Sequence, residues 1–152
     1  MDATIAARPA GLPAFDTIVE DFAYLDDWEE RYRFLIELGR ALGEFPEAER
    51  IAANKVQGCA SQVWFAFRQS RDSHGVPLMS FRGDSDALIV RCLIALLVSL
   101  LSGRPAREVA TFDTLGALRP LGLEEHLTPQ RSNGLASMVK RLKSEAVKAT
   151  AT

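Results

Sequence analysis

Apolar residues recur at helical spacing over most of the chain, and they alternate with polar residues only in its middle. Recurrence at every third or fourth position is typical of amphipathic helices. The run at 87–101 contains Arg91 and is too short to span a bilayer, so we expect a helix buried in the core. The predicted helices are 16–25, 26–42, 87–101, a short one from Pro105 to about Val109, and a last one from Pro129 to about Lys148.

Short polar residues stand where these helices would begin, and we expect them to cap the free backbone N–H groups. Asp27 and Glu30 have the spacing of a capping box. Thr128 followed by Pro129 is typical of a cap and first turn. The remaining predicted caps are Asp16 for the first helix and Asp84, Ser85 or Asp86 for the helix at 87–101.

The middle of the chain carries the strand pattern. Apolar residues alternate within 61–69, which predicts a strand. A turn around Gly75 and a return strand at 76–83 follow, with Pro77 at the start or edge of that strand. A short strand at 55–57 would bring the sheet to about three strands.

These elements predict an α+β fold, in which a small antiparallel sheet is flanked by α-helices in a single domain. We expect residues 1–14 to form a flexible N-terminal arm and residues 15–148 to form the domain. The stretch 114–127 is expected to be irregular, with one short turn at most. The 152 residues are 47% hydrophobic and 25% charged, as in a soluble globular protein, and the net charge of −2 provides no basic field for nucleic acid.

The chain contains two cysteines, Cys59 and Cys92, which are candidates for chemistry. We expect both to be thiols, because a chain of this length does not need a disulfide to fold. The N-terminus lacks a signal-peptide pattern, and a reducing cytoplasm is therefore the expected compartment. Cys92 falls inside the apolar run at 87–101, which favours inert packing in the core.

Cys59 lies between Gly58 and Ala60, directly before the apolar strand. A thiol that receives an atom and passes it on needs a backbone that can move, and these small neighbours offer that freedom. The alternative, a small buried residue at a strand edge, fits the spacing equally well.

The other polar candidates carry weaker signals. Two histidines and two cysteines without ligand spacing predict no metal site. His74 is expected in the solvated turn. His126 is expected to pack, with a hydrogen bond near a site or a role as base for Cys59 as the alternatives. Asp84 and Asp86 fit caps and turns better than a pair of catalytic acids.

Arg131 falls in the first turn of the last helix, where the helix dipole disfavours a cation. We expect it to contact a partner or an anionic sulfur, with a surface ion pair as the alternative.

Three motifs together closely resemble the SufE family, the sulfur-acceptor proteins of iron–sulfur cluster assembly. The motifs are VQGCASQVWF at 56–65, GDSDALIVRCLIAL at 83–96 and EEHLTPQRSNGLASMVKRLK at 124–143. The helix pattern WEERYRFLIELGRAL at 28–42 matches that family as well, and the resemblance covers roughly residues 15–145.

The resemblance implies that Cys59 accepts persulfide sulfur from a pyridoxal-phosphate-dependent cysteine desulfurase of the SufS or CsdA type. The protein would stimulate the desulfurase and pass the sulfur to an iron–sulfur scaffold complex similar to SufBCD. It would be an accessory protein without a cofactor or a small-molecule turnover of its own. The supporting or partner-binding residues would be Gly58, Ser61, Gln62, Trp64, Asp84, Asp86, His126 and Arg131.

Several alternatives stay open. A CsdE-like protein would serve a different desulfurase, and a self-contained thiol enzyme would use Cys59 with His126 as its base. A metal-holding scaffold needs more ligands than the chain offers. We expect no nucleic-acid or membrane partner, and a homodimer stays open. If Cys59 accepts sulfur, packing of that sulfur against the neighbouring Trp64 and Phe65 side chains would protect a persulfide.

Overall fold

The computed structural model describes residues 9–151. Within them, six α-helices and one three-stranded antiparallel sheet form the predicted α+β fold. The helices are α1 (Phe15–Ala23), α2 (Trp28–Arg40), α3 (Leu88–Leu101), α4 (Ala106–Thr111), α5 (Thr114–Leu118) and α6 (Pro129–Ala151). The strands are β1 (Val63–Arg71), β2 (Pro77–Ser85) and β3 (Arg104–Pro105), and short 3₁₀ turns lie at Glu47–Glu49, Ala52–Asn54, Arg119–Leu121 and Leu123–His126.

The predicted hairpin is confirmed. β1 and β2 pair antiparallel along their whole length. In the turn between them, the Asp72 carboxylate accepts a hydrogen bond from the His74 N–H at 2.8 Å, and Gly75 has a φ of 80° that favours glycine. Pro77 is the first residue of β2, as predicted, so its missing N–H costs the sheet little.

The third strand differs from the prediction. The segment 55–57 contributes only one bridge, between Lys55 and Trp64, because the chain turns out of the sheet at Gly58. β3 pairs instead with the other edge of β2, opposite Leu78 and Met79. A two-residue strand that contains a proline is too short to show an alternating pattern.

Two of the predicted helix caps are confirmed. The Asp27 carboxylate accepts from the Glu30 N–H at 2.9 Å at the start of α2. The Thr128 hydroxyl accepts from the Arg131 N–H at 3.2 Å at the start of α6. Each bond satisfies a backbone donor that the helix itself leaves free.

The caps predicted for α1 and α3 are wrong. α1 begins one residue earlier than predicted, so Asp16 lies in its first turn and Ala14 is the N-cap. The N-cap of α3 is Ala87, which has no capping side chain. Asp84 and Asp86 bond to other segments of the chain, and Ser85 accepts only the N–H of Ala87.

The segment 114–127 is more ordered than predicted. It forms α5 and two 3₁₀ turns, and the Asp113 carboxylate caps α5 by accepting from the Gly116 N–H at 3.1 Å. Leu118 and Leu121 are buried. Tertiary burial stabilises a helix that is too short to form alone.

α3 is the centre of the core, as predicted for the run at 87–101. Cys92 faces α2, where a Cβ added to Gly39 would lie 3.0 Å from the cysteine sulfur. Ile94 faces the sheet, where a Cβ on Gly83 would lie 2.6 Å from its side chain. α3 therefore lies between α2 and β2, while α6 packs on α4 and β2. No helix among residues 9–151 has the length and apolar character needed to cross a membrane.

The N-terminal segment is only partly described. Residues 1–8 of the predicted flexible arm lie outside the described residues. In the remainder of that arm, Leu12 is buried and the Ser99 hydroxyl donates to the Pro13 carbonyl at 2.9 Å. This part of the arm is packed on α3 rather than loose.

Candidate functional site

Cys59 lies on a short loop, residues 57–62, which we call the Cys59 loop. The loop is closed at its base, where the Val56 N–H donates to the Val63 carbonyl at 2.8 Å. Gly58 has a φ of 86°, and a Cβ there would lie 2.6 Å from the Ser137 hydroxyl oxygen. The positive φ favours glycine at position 58, and a side chain there would displace the Ser137 hydroxyl.

The Cys59 side chain is half-buried and lines a cavity of about 10 Å³, which we call the sulfur pocket. Its S–H donates to the Gly134 carbonyl in α6 at 3.6 Å. A cavity of this volume has room for about one small atom or water molecule beside the thiol. Its walls are formed by Val90 and Leu93 of α3, Gln130, Arg131, Gly134 and Met138 of α6, and Ala60 and Ser61 of the loop.

The apolar walls of the sulfur pocket determine the state of the thiol. Burial raises the pKa of Cys59 above its ordinary value, because the thiolate is poorly solvated there. At neutral pH the thiol is therefore protonated and a weaker nucleophile than a thiolate.

Arg131 provides the cationic group of the sulfur pocket. Its guanidinium donates to the Ser61 hydroxyl at 3.1 Å. The alternative of a surface ion pair is not seen among the described residues. Two of the predicted supporting residues, Ser61 and Arg131, are therefore brought together next to Cys59.

Gln62 and Asp86 fix the other end of the Cys59 loop. The Gln62 N–H donates to the Asp86 carboxylate at 3.0 Å, and the Asp86 N–H donates to the Gln62 carbonyl at 3.4 Å. Asp86 therefore holds the loop beside the start of α3 and does not cap the helix.

Asp84 joins three segments outside the pocket. Its carboxylate, 4% exposed, forms ion pairs with Arg50 and Arg91. Arg91 also donates to two carbonyls at the C-terminal end of α2, both at 3.2 Å. The Arg50 guanidinium lies 5.8 Å from the centre of the Trp64 ring. Asp84 and Trp64 thus position the connector that leads to the Cys59 loop, and neither lines the sulfur pocket.

His126 is not among the residues around the thiol. It is exposed, and its ring stacks on Trp28 with a centroid distance of 3.5 Å. This geometry agrees with packing as its role and gives no support to a pair of Cys59 with His126 as a base.

The apolar wall beside the sulfur was not the expected one. Trp64 and Phe65 were expected to shelter Cys59, but the walls come from α3 and α6. Gly134 carried the one sequence signal for this contact, since glycine is unfavourable within a helix unless something needs the space. A Cβ on Gly134 would lie 3.8 Å from the Cys59 sulfur, which is an ordinary van der Waals contact, so the signal marks the neighbour of the thiol without showing that glycine is required.

Cys92 has a different environment from Cys59. It is fully buried, its S–H donates to the Leu88 carbonyl at 3.2 Å, and burial raises its pKa to about 11. Both thiols are free. In the part of the chain that the structure describes, no three His, Cys, Asp or Glu side chains are grouped so that they could hold a metal ion.

Comparison with known proteins decides the family. The family model of the SufE Fe–S metabolism associated domain matches residues 16–146. The chain belongs to the SufE family. Two SufE-like proteins that are named as uncharacterized, from Rhizobium etli and Rhizobium meliloti, are 53% and 50% identical to this SufE-family chain over 135 residues. These alignments cover 89% of the chain and 90% and 96% of the two relatives, so the similarity extends over most of this chain and of both relatives.

A solved structure shares the fold. The solution structure of a hypothetical protein from Thermus thermophilus matches with a TM-score of 0.67 and 24% identity, covering 91% of this chain and 96% of that one. At this level of identity the likeness concerns the fold alone. Family membership confirms the resemblance found in the sequence and assigns the domain to Fe–S metabolism.

Proposed function

We propose that this SufE-family protein accepts sulfur on Cys59 from a pyridoxal-phosphate-dependent cysteine desulfurase of the SufS or CsdA type. It stimulates that enzyme and passes the sulfur to an iron–sulfur scaffold complex. The observation that supports this most is the position of the Cys59 sulfur, on a glycine-containing loop and against a pocket of atomic size. The loop gives the sulfur reach, and the pocket gives it shelter.

The proposed chemistry is thiol–persulfide exchange. The Cys59 thiolate attacks the terminal sulfur of the desulfurase persulfide, and a new S–S bond forms while the old one breaks. The desulfurase cysteine leaves as a thiolate, and a proton carried by the terminal sulfur stays on it. The second transfer repeats this step, with a cysteine of the scaffold as the attacking group and Cys59 as the leaving group. No external oxidant or reductant is needed.

Cys59 is a buried thiol while the loop is closed and becomes a reactive thiolate when the loop opens. Burial raises the pKa of Cys59 in the closed loop, so the resting thiol is protected from stray reactions. Docking of the desulfurase would move the loop off α6, return the pKa towards its ordinary value and expose the sulfur. Arg131 borders the pocket and is placed to steady an anionic sulfur or to contact the partner.

The test is the stimulation of a cysteine desulfurase by matched cysteine variants. Cys59→Ser should abolish stimulation and leave the fold intact, because an oxygen cannot carry the transferred sulfur. Cys92→Ala is the control and should keep stimulation, since Cys92 is buried on the α2 side of α3. Full stimulation by the Cys59→Ser variant would refute the proposed function.

A further inference from the structure

One face of α6 contacts the chain before and within the Cys59 loop at four successive positions. The four α6 residues are three or four positions apart, so they share one side of the helix. The contacts are Arg131 with Ser61, Gly134 with Cys59, Ser137 with Gly58, and Arg141 with Ala53 and Lys55. Their strengths differ along the helix.

Arg141 holds the base of this segment. Its guanidinium donates to the Lys55 carbonyl at 2.9 Å and to the Ala53 carbonyl at 2.7 Å. The arginine is itself held, because Glu145 accepts from its Nε at 3.2 Å and the Phe67 ring lies 5.8 Å from the guanidinium. Hydrogen bonds from a charged donor are stronger than neutral ones, and this side chain is only 22% exposed. The chain before the loop is therefore fixed to α6.

Ser137 holds Gly58, on one side of the loop tip, more weakly than Arg141 holds the base. Its hydroxyl donates to the Gly58 carbonyl at 3.3 Å, which is a long bond between neutral groups. The neighbouring hydrogen bond, from the Cys59 S–H to the Gly134 carbonyl, is weaker still, because its donor is a sulfur and the distance is 3.6 Å. On the other side of the tip, the Ser61 hydroxyl accepts from the charged Arg131 guanidinium at 3.1 Å. Ser137 does not line the sulfur pocket, so its hydroxyl can be removed without changing the surroundings of the thiol.

We infer that Ser137 and Arg141 are positioning residues that divide this segment into a fixed base and a releasable tip. Arg141 keeps residues 53–55 on α6 while the loop opens, and Ser137 is the catch that holds Gly58, and with it Cys59, in the closed position. The purpose of this device rests on the proposed function, but the motion itself requires neither sulfur nor a desulfurase.

The first measurement is the rate at which iodoacetamide alkylates Cys59 in the isolated full-length protein, followed by the mass of the Cys59 peptide. Ser137→Ala should react roughly two- to tenfold faster than the parent protein, as expected for loss of one neutral hydrogen bond from the closed loop. Its melting temperature should fall by no more than about 5 °C, because the same bond is lost relative to the unfolded chain, and alkylation is measured where both proteins are folded. Ser137→Thr keeps a hydroxyl and should react at nearly the parent rate. The matched control is Ser144→Ala, an exposed serine two turns further along α6, which should match the parent protein.

The second measurement is hydrogen exchange at the Val56 amide, whose bond to Val63 closes the base of the loop. Arg141→Ala should speed this exchange roughly tenfold or more, because two charge-assisted bonds are lost, whereas Ser137→Ala should leave it unchanged. If Arg141→Ala does not fold, Arg141→Lys keeps the charge but loses the forked guanidinium that reaches both carbonyls, and it should show a smaller acceleration in the same direction.

Each assignment can fail separately. Alkylation of Ser137→Ala at the rate of Ser144→Ala would overturn the catch. Faster Val56 exchange in Ser137→Ala would overturn the division into base and tip. Unchanged exchange in the folded Arg141 variant would overturn the role of Arg141 in fixing the base. If all of these results agree with the inference but Cys59→Ser still stimulates a desulfurase, the proposed function fails and the loop device stands.

Discussion

Replacing Asp84 with asparagine should destabilise the whole fold and not only the Cys59 loop. The carboxylate is 4% exposed and forms ion pairs with both Arg50 and Arg91. Through Arg91 it also reaches the end of α2, and through Arg50 it reaches the connector before the loop. Asparagine has nearly the same shape, so the change removes the charge and leaves the packing in place.

The magnitude follows from burial. Removing one partner of a buried ion pair costs about 3–5 kcal/mol, because the remaining charge loses its compensation. Two features reduce this cost. The asparagine oxygen still accepts one hydrogen bond, and the Arg50 and Arg91 side chains, 29% and 24% exposed, can gain water. We therefore expect a loss of about 2–3 kcal/mol, which corresponds to roughly 5–10 °C in melting temperature for a chain of this size.

The assay is urea unfolding followed by circular dichroism, with Asp86→Asn as the matched control. Asp86 is exposed and accepts one backbone N–H, so its replacement should cost no more than about 1 kcal/mol. The difference between the two variants should persist at high salt, since buried pairs are poorly screened. An Asp84→Asn variant as stable as Asp86→Asn would show that the ion pairs at Asp84 contribute no more than surface pairs do.

Two further predictions concern Arg131 and Cys92. Arg131→Ala should change stability by no more than about 1 kcal/mol and clearly lower sulfur transfer. Recovery of transfer at saturating desulfurase would assign Arg131 to docking, whereas a persistent loss would assign it to stabilising the thiolate. Normal transfer per folded molecule with a lower melting temperature would contradict both roles. Cys92→Ala should keep transfer and cost about 1–2 kcal/mol at neutral pH by leaving a small cavity. Because burial raises the Cys92 pKa from 9.0 to about 11, the unfolded chain loses this proton first, and the parent protein should lose up to roughly 3 kcal/mol of stability between those pH values that Cys92→Ala does not lose. Urea unfolding of both proteins across that pH range measures the difference, and parallel stability curves would contradict the assigned burial.

The sequence predicted best those elements in which a local period decides which side chains are buried. The buried helix α3 and the hairpin of β1 and β2 are of this kind, since apolar spacing alone distinguishes their faces. β3 could not be found, because two residues show no period. The capping role expected for Asp84 failed because its carboxylate pairs with two arginine side chains, Arg91 in α3 and Arg50 in the distant connector, and a residue pattern does not show which partners the folded chain brings near.

The same distinction applies to the candidate site. Gly58 beside Cys59 is a local signal, and the structure shows a positive φ that favours glycine there. Ser137 and Arg141 gave no such signal, because a polar residue on an amphipathic helix usually faces solvent. Their partners before and within the Cys59 loop are 79 residues or more away along the chain, so only the packing of α6 against the loop reveals them.

Intact mass shows directly whether Cys59 carries sulfur as a persulfide. The protein is incubated with a cysteine desulfurase and free cysteine, separated without reductant, and weighed beside its Cys59→Ser and Cys92→Ala variants. We expect a gain of one sulfur atom in the parent protein and in Cys92→Ala, located on the Cys59 peptide and removed by reductant, and no gain in Cys59→Ser. A sulfur adduct that persists in Cys59→Ser, or that maps to Cys92, would contradict this expectation.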